Sequence, residues 1–479
     1  MAVPALVDTT VRLLSQEPLA ARMPTARLLH VASVLDRAGF AALEVSGGGC
    51  FDAAVRRGVE SPWERIRALR ARCESPLGIA LRGRFLVGSR PLSRELVRRF
   101  VESAAENGID IFRLHDPLND LANLQEAADA IHACGKELAI GLVHTPGPAG
   151  ETDVLRERAL HLSELGAARV LVHDPAGSLT PAKAGELVAG VAEASGLPVG
   201  LHVQGATGAG LAASLEAARA GADRIACTIY PVAISLHRVS AEALAQALAG
   251  GGLDVGVDVD VLWEACELVD DVLGEEPVPP LSPRVAVRAA EHELPAALVA
   301  ELDANLRRQG FGDRLDAVLE ELTAIRRECG WPPLASPVGQ VLGSQALIHV
   351  LSAQRWQLVV DELRDLVEGV YGNPPHPVDA QVRRSVQLLG GSGPDGRRGE
   401  RPQGLEELRA DAEGLAASEE ELLLLALFGE EAQPLLRAIR ARGRRDELEG
   451  VALERSETER IRELIRVVQE MGIGEVTIE

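Results

Sequence analysis

The chain has 479 residues, 46% of them hydrophobic but only 3% aromatic, and its formal net charge is −22. That length exceeds what one core usually supports, and so negative a charge, with no basic cluster interleaved with aromatics, argues against nucleic-acid binding. No apolar run reaches the ~18 residues that span a bilayer, and the start, MAVPALVDTT, lacks the basic residues and apolar stretch of a secretory signal, so a cytoplasmic location is expected.

From residue 5 to about 240, short apolar runs alternate with amphipathic helical stretches, the pattern of parallel βα units. The runs are ALVDTTVRL, AALEVS, LGIALR, IFRLH, ELAIGLVH, RVLVH, PVGLHV and DRIACTI. Eight such strands close most economically into a TIM (β/α)8 barrel, assigned to residues 1–275. Helices such as LSRELVRRFVESAAENG end near a glycine stop. A Gly- and Pro-flanked stretch at 251–285 marks a boundary, and helical patterns then fill a C-terminal domain, 276–445, broken by the loop GGSGPDGRRGERPQG at 390–404. The last segment, 446–479, reads as one amphipathic helix and a short strand. The six cysteines show no C-x-x-C spacing and are expected to be reduced thiols.

Histidines 115, 144, 173 and 202 end four successive predicted strands at a uniform spacing of 29 residues. Strand C-termini form the functional rim of a parallel barrel, so these imidazoles are candidates to converge there. Neutral imidazole ligates zinc, copper, nickel or iron(II). The pair His173 and His202, with His144 and His115 as further candidates, is the expected metal site. The plain alternative is that each histidine only hydrogen-bonds its neighbours.

Motifs make the reading specific. EVSGGGCFDAAVRRGVESPWERIRALR resembles E-x-x-G-G-A-T-F-D…E-D-P-W-E-R-L-R, LRGRFLVGSRP resembles L-R-G-Q-N-L-L-G-Y-R, and NGIDIFRLHDPLNDLANL resembles N-G-M-D-V-F-R-V-F-D-A-M-N-D-x-x-N-L. VLVHDPAGSLTP is similar to I-x-I-K-D-M-A-G-L-L-x-P, and HELPAALVAELDANLRRQG, GWPPLASPVGQVLGSQALIHVLSAQRW and GVYGNPPHPVD follow a carboxylase region in the same order. Over roughly residues 5 to 440 the chain thus resembles the carboxyltransferase family of pyruvate carboxylase, oxaloacetate decarboxylase and transcarboxylase.

That resemblance implies transfer of CO2 between carboxybiotin and the methyl carbon of a keto acid such as pyruvate or oxaloacetate, with a divalent metal polarising the keto oxygen. The family's metal ligands are an Asp in R-D-A-H-Q, a carbamylated Lys before D-M-A-G and two His in H-x-H. The matching positions here are Leu13, His173, His202 and Gln204. Leu13 offers no donor, His173 cannot be carbamylated and Gln204 offers only a neutral oxygen, so a degenerate metal site is expected and the presence of a metal is left open.

The resemblance also implies a substrate site of Arg12, Gln16, Arg82 and Asp52, with Arg82 and Gln16 on the keto-acid carboxylate and Asp52 near the biotin pocket. Ser235 stands for a proton-shuttling Thr and completes the catalytic set with Arg82 and Gln16. A structural alternative pairs Arg82 and Arg113 with Glu44, Asp116 and Asp174 as a charge network at the barrel mouth.

The only lysines, Lys136 and Lys183, lack the Ala-Met-Lys-Met context of biotin attachment, so carboxybiotin is expected in trans. The tail 446–479 resembles the start of a biotin carboxyl carrier protein. Expected partners are that carrier, a biotin carboxylase subunit and a second copy of the chain. Two readings of function remain: a biotin-dependent carboxyltransferase subunit, or a catalytically inactive structural or regulatory subunit of such a complex.

Overall fold

A computed structural model describes residues 3–442, except 59, 149–150, 206, 275–281, 353, 390–403 and 413. The boundary expected near 275, most of the 390–404 loop and the tail 446–479 lie outside the described residues. Among those residues no helix is long and apolar enough to cross a membrane.

Eight parallel strands, β1 (Ala5–Asp8), β2 (Ala42–Gly47), β3 (Leu77–Leu81), β4 (Ile111–His115), β5 (Glu137–Val143), β6 (Arg169–Asp174), β7 (Val199–Val203) and β8 (Arg224–Cys227), pair in chain order, and β8 closes on β1. All eight match the apolar runs of the sequence. Closure buries both faces of the sheet, which is why the strands read as near-continuous apolar runs. The register shifts between Glu44 and Ser46 of β2, where Val45 is skipped against β3. Such a bulge re-aims side chains, and this one lies beside the charged centre described below.

Local chemistry sets the helix ends. Thr180 caps Pro181–Ser195 by accepting from Lys183 N, and the helix stops at Gly196, whose φ of 67° suits a residue without a Cβ. Phe51, Trp63 and Phe100, with ring centroids 4.9 to 5.4 Å apart, lock the helix Gly48–Arg57 to its neighbours Pro62–Arg70 and Arg94–Glu106.

Buried side chains form two hydrophobic clusters. One is the barrel with its helices, and it also takes in Leu405, Leu408, Leu422–Leu424, Leu435 and Leu436 from the far end of the chain. Trp63 Nε1 donates to Glu420 O there, at 3.3 Å. The other spans Val285 to Val386 and includes Phe85 and Leu118 from the loops after β3 and β4. Phe85 stacks on Tyr371 at 5.4 Å, Asn123 donates to Tyr371 O and Leu334 N donates to Thr145 Oγ1. The second cluster therefore sits over the C-terminal ends of β3, β4 and β5, where it reaches the barrel mouth.

Candidate active site

Side chains on a barrel strand alternate between the helices and the interior. Ile111 and Arg113 line the interior cavity, and so do Ala139, Arg169, Leu171 and Gly200. His115, His173 and His202 share the parity of these inward residues on β4, β6 and β7. His144 has the opposite parity to Ala139 and lies one residue beyond β5. Gly141, between Ala139 and Val143, leaves room for His115, because a Cβ there would stand 3.2 Å from His115 Cβ.

Three of the four histidines come together. The rings of His173 and His202 stack at 4.9 Å, and His115 meets His173 edge-on at 6.4 Å. Gln204 Nε2 lies 3.0 Å from His173 Nε2 and 3.2 Å from His202 Nε2. Burial, reinforced for each ring by the Arg113 guanidinium, pushes all three imidazoles well below their ordinary pKa, so they are neutral at physiological pH. His144 stands apart. It is brought down to about 4 by burial, and its charged neighbours are Lys183 and Arg326.

Glu44 is the buried carboxylate of this centre. Arg113 holds it bidentately at 2.8 and 3.0 Å, and Arg12 Nε approaches it to 2.7 Å. Burial pushes the carboxyl up, yet the two guanidiniums overcome it and hold Glu44 at about 2. Arg12 Nη2 and Arg113 Nη1 are buried without a hydrogen-bond partner. Asp116 and Asp174 take no part: they accept backbone N–H groups of their own βα loops, from Leu118 and Asp120 and from Gly177 and Leu179.

The donor set differs from the one that the resemblance implies for a divalent ion. Leu13 is 4% exposed within the apolar core and brings no donor. His173 and His202 aim their Nε2 atoms at one amide, while their Nδ1 atoms are buried with no partner. A ligating histidine ordinarily gives that second nitrogen to an orienting acceptor. Among the described residues no three His, Cys, Asp or Glu side chains are grouped to hold an ion.

Arg82 and Gln16 meet over the glycine run Gly47–Gly48–Gly49. A Cβ on Gly48 would stand 2.3 Å from Arg82 Nη2, and one on Gly49 would stand 2.9 Å from Gln16 Cδ. Both side chains thus lie directly on bare backbone. Arg82 donates to Val87 O at 2.5 Å and to Ser336 Oγ at 2.9 Å, and among the described residues it makes no carboxylate pair. Burial draws it down to about 10, with Asp52 opposing, so it stays charged. Asp52 itself is half-exposed and paired with Arg56 at 2.8 Å.

Ser235 lies on the helix Tyr230–Leu236 and donates its hydroxyl to Pro231 O at 2.7 Å. Beside it, a cleft of about 250 Å³ is lined by Gln204, Gly205, Ile234, His237 and Arg238 among others, but not by Ser235. Sequence reasoning missed Arg238 and Ser336. No motif marks either, since Arg238 matters through a buried Nε with no partner among the described residues and Ser336 arrives from more than 250 positions along the chain.

A family model described as a conserved carboxylase domain matches residues 290–470, and an HMGL-like model matches residues 95–269. A pyruvate carboxylase subunit of Methanocaldococcus jannaschii is 35% identical over 438 residues, covering 90% of this chain and 77% of that protein. The 2-oxoglutarate carboxylase large subunit of Hydrogenobacter thermophilus is 32% identical over 88% of this chain and 66% of its own length. The carboxyl transferase domain of Rhizobium etli pyruvate carboxylase, solved with pyruvate, superposes with a TM-score of 0.81 at 25% identity, covering 91% of this chain and 77% of that one.

Proposed function

From the premise that this chain belongs to the carboxyltransferase family of pyruvate carboxylase, oxaloacetate decarboxylase and transcarboxylase, we propose that it is the carboxyltransferase subunit of a biotin-dependent system acting on a 2-oxo acid. The observation that carries this is Arg82: a guanidinium without a carboxylate partner among the described residues, laid on Gly48 beside Gln16. A forked donor of that kind is suited to a substrate carboxylate. Carboxybiotin, brought by another chain, supplies the CO2.

In this reading Arg82 and Gln16 hold the 2-oxo acid by its carboxylate. The ureido nitrogen freed when carboxybiotin gives up its CO2 would take the proton lost from the carbon beside the keto group, and the unpartnered Arg12 Nη2 is the preorganised donor for the charge left on the keto oxygen. Neutral imidazoles of His173 and His202, bridged by Gln204, wall the pocket without adding charge. Asp52, which the resemblance puts near the biotin pocket, is half-exposed and paired with Arg56. No step is routed through a metal, because the donor set does not fit one. The assembly in this reading is cytoplasmic, with a biotin carboxyl carrier, a biotin carboxylase subunit and a second copy of the chain.

A second reading, an inactive structural or regulatory subunit, is favoured by Leu13 in place of a donor and by the Ser235 hydroxyl bonded into its own helix. Lost Lewis-acid help of even ~4 kcal/mol costs about a thousandfold in rate. Oxaloacetate decarboxylation and solvent-deuterium exchange into pyruvate, each with and without free biotin, separate the two. Turnover abolished by Arg82→Ala supports the enzyme. Absence of both reactions from the folded chain, even with carrier protein added, overturns it.

A further inference from the structure

The residues that follow β7 and β8 enclose a cleft of about 250 Å³, and none of Arg82, Gln16 and Gly48 lines it. Val203, Leu211, Ala233, Ile234 and Val239 make its walls apolar. Among the described residues its lining holds one guanidinium, that of Arg238, and no carboxylate. An apolar cleft with a fixed cation and no anion of its own favours a ligand with an anionic head and an apolar body.

Arg238 is fixed by its own turn. It bridges to Gln204 by backbone pairing, and its Nη1 donates to Leu236 O at 2.6 Å and His237 O at 3.2 Å. Its Nε is buried with no partner among the described residues. Burial, and then Arg12, lower the guanidinium to about 9, so it is charged at neutral pH. Two carbonyl contacts do not neutralise it, and a charge drawn out of water without a counter-charge is costly. An anion in the cleft relieves that cost.

The backbone around the cleft points the same way. The helix Gly210–Arg219 starts there: Gly210 and Leu211 line the cleft, and the N-cap is Ala209, whose methyl accepts no first-turn N–H. The helix dipole adds partial positive charge at that end. Gly208, at φ 76°, presents bare backbone, and a Cβ there would meet nothing within 4 Å. Loops after strands 7 and 8 of such barrels are a recurrent place for anionic groups. The volume is several times the ~30 Å³ of a water, enough for a short branched chain behind an anionic head.

We propose that this cleft is a binding site for a small organic anion, its head on Arg238 and the start of the helix Gly210–Arg219, its short branched alkyl body against Val203, Leu211 and Val239. The site is separate from Arg82 and Gln16, and it stands whether or not a 2-oxo acid binds there. Carboxylates and phosphate monoesters share the required head, and the experiment separates them.

The test uses the full chain carrying Arg82→Ala, which removes the other guanidinium able to hold a carboxylate. Calorimetric titration with isovalerate, isobutyl phosphate and the neutral isovaleramide is expected to show at least one anion binding about tenfold or more tighter than the amide. Tighter isovalerate identifies a carboxylate ligand, and tighter isobutyl phosphate a phosphate monoester. Arg238→Gln in the same chain weakens the bound anion by about 10- to 150-fold, the loss of one charged hydrogen bond, and Arg238→Lys recovers part of it. Ala243→Leu fills the cleft from a half-buried helix position with Arg238 left in place, and it weakens the anion by about tenfold or more. The site is overturned if neither anion binds, if the amide binds as tightly as both, or if anion binding is indifferent to both Arg238→Gln and Ala243→Leu.

Discussion

Gly48→Ala isolates the Arg82 site from everything else in the barrel. The added methyl would stand 2.3 Å from Arg82 Nη2 and 3.1 Å from its Cζ. Ordinary contact requires the guanidinium to withdraw by about 1 Å, which breaks its 2.5 Å bond to Val87 O and re-aims its remaining donors. A charged hydrogen bond misplaced in this way costs ~1.5–3 kcal/mol, or about 10- to 150-fold in the dissociation constant of a ligand carboxylate. The fold, by contrast, is nearly indifferent. Gly48 opens the helix Gly48–Arg57, where alanine gains ~0.5–1 kcal/mol over glycine, and the clash is with the far end of a flexible side chain rather than with backbone. Titration with a 2-oxo acid alongside urea denaturation therefore has an expected signature: binding weakened by an order of magnitude or more, with unfolding within ~1 kcal/mol of the unaltered chain. Unchanged affinity refutes the assignment of Arg82 to the substrate carboxylate, and a collapse of stability refutes the claim that only Arg82 gives way.

Glu44→Gln strands two guanidiniums. Its carboxyl drops from 4.5 to about 2 on folding, so its ~3 kcal/mol is fully present above pH ~4.5 and is lost as pH falls toward 2. Urea denaturation at pH 7 is expected to show a loss of about that size that shrinks in acid, and a variant as stable as the parent at pH 7 contradicts it. The imidazoles of His115, His173 and His202 lie well below 6.5, so between those values only the unfolded chain takes up the proton. Stability therefore falls as pH drops below about 6.5, and NMR should show these three rings neutral at pH 6; rings titrating near 6.5 contradict the burial argument. Elemental analysis of the purified chain should find well under ~0.1 equivalent of divalent metal, and a stoichiometric ion lost in His173→Ala would restore the metal site set aside above.

The barrel was legible because burial on both faces writes each strand as an apolar run, and eight runs became eight strands. The histidine ring was only partly legible. A spacing of 29 residues from His115 to His202 says that each ends a βα unit, but not which way each points. Strand parity decides that, and β5, counted inward from Ala139, sends His144 toward Arg326 rather than toward His173. The segment from Leu405 to Leu436 reads as a continuation of the helical region, yet its leucines pack into the barrel cluster. The run LLLLALF has no helical periodicity to choose a face. Arg238 was illegible for a different reason: its buried Nε has no partner among the described residues, which only three dimensions show.

The absent metal donors and the surplus guanidiniums belong to one electrostatic argument. A divalent ion needs anionic ligands to offset the cost of desolvating it and to outweigh nearby cations. Leu13 supplies no charge, the neutral His173, His202 and Gln204 supply none, and Glu44 is committed to Arg12 and Arg113. In the reading proposed above, an ion placed there would meet the guanidiniums of Arg12 and Arg113 instead. For an anionic substrate the same guanidiniums are favourable, and steering by them gathers it. Affinity for a 2-oxo acid should then fall with added salt, because the fixed charges that hold it are being screened. Titrations at two ionic strengths measure the slope, and a flat response would mean that these guanidiniums sense no ligand charge.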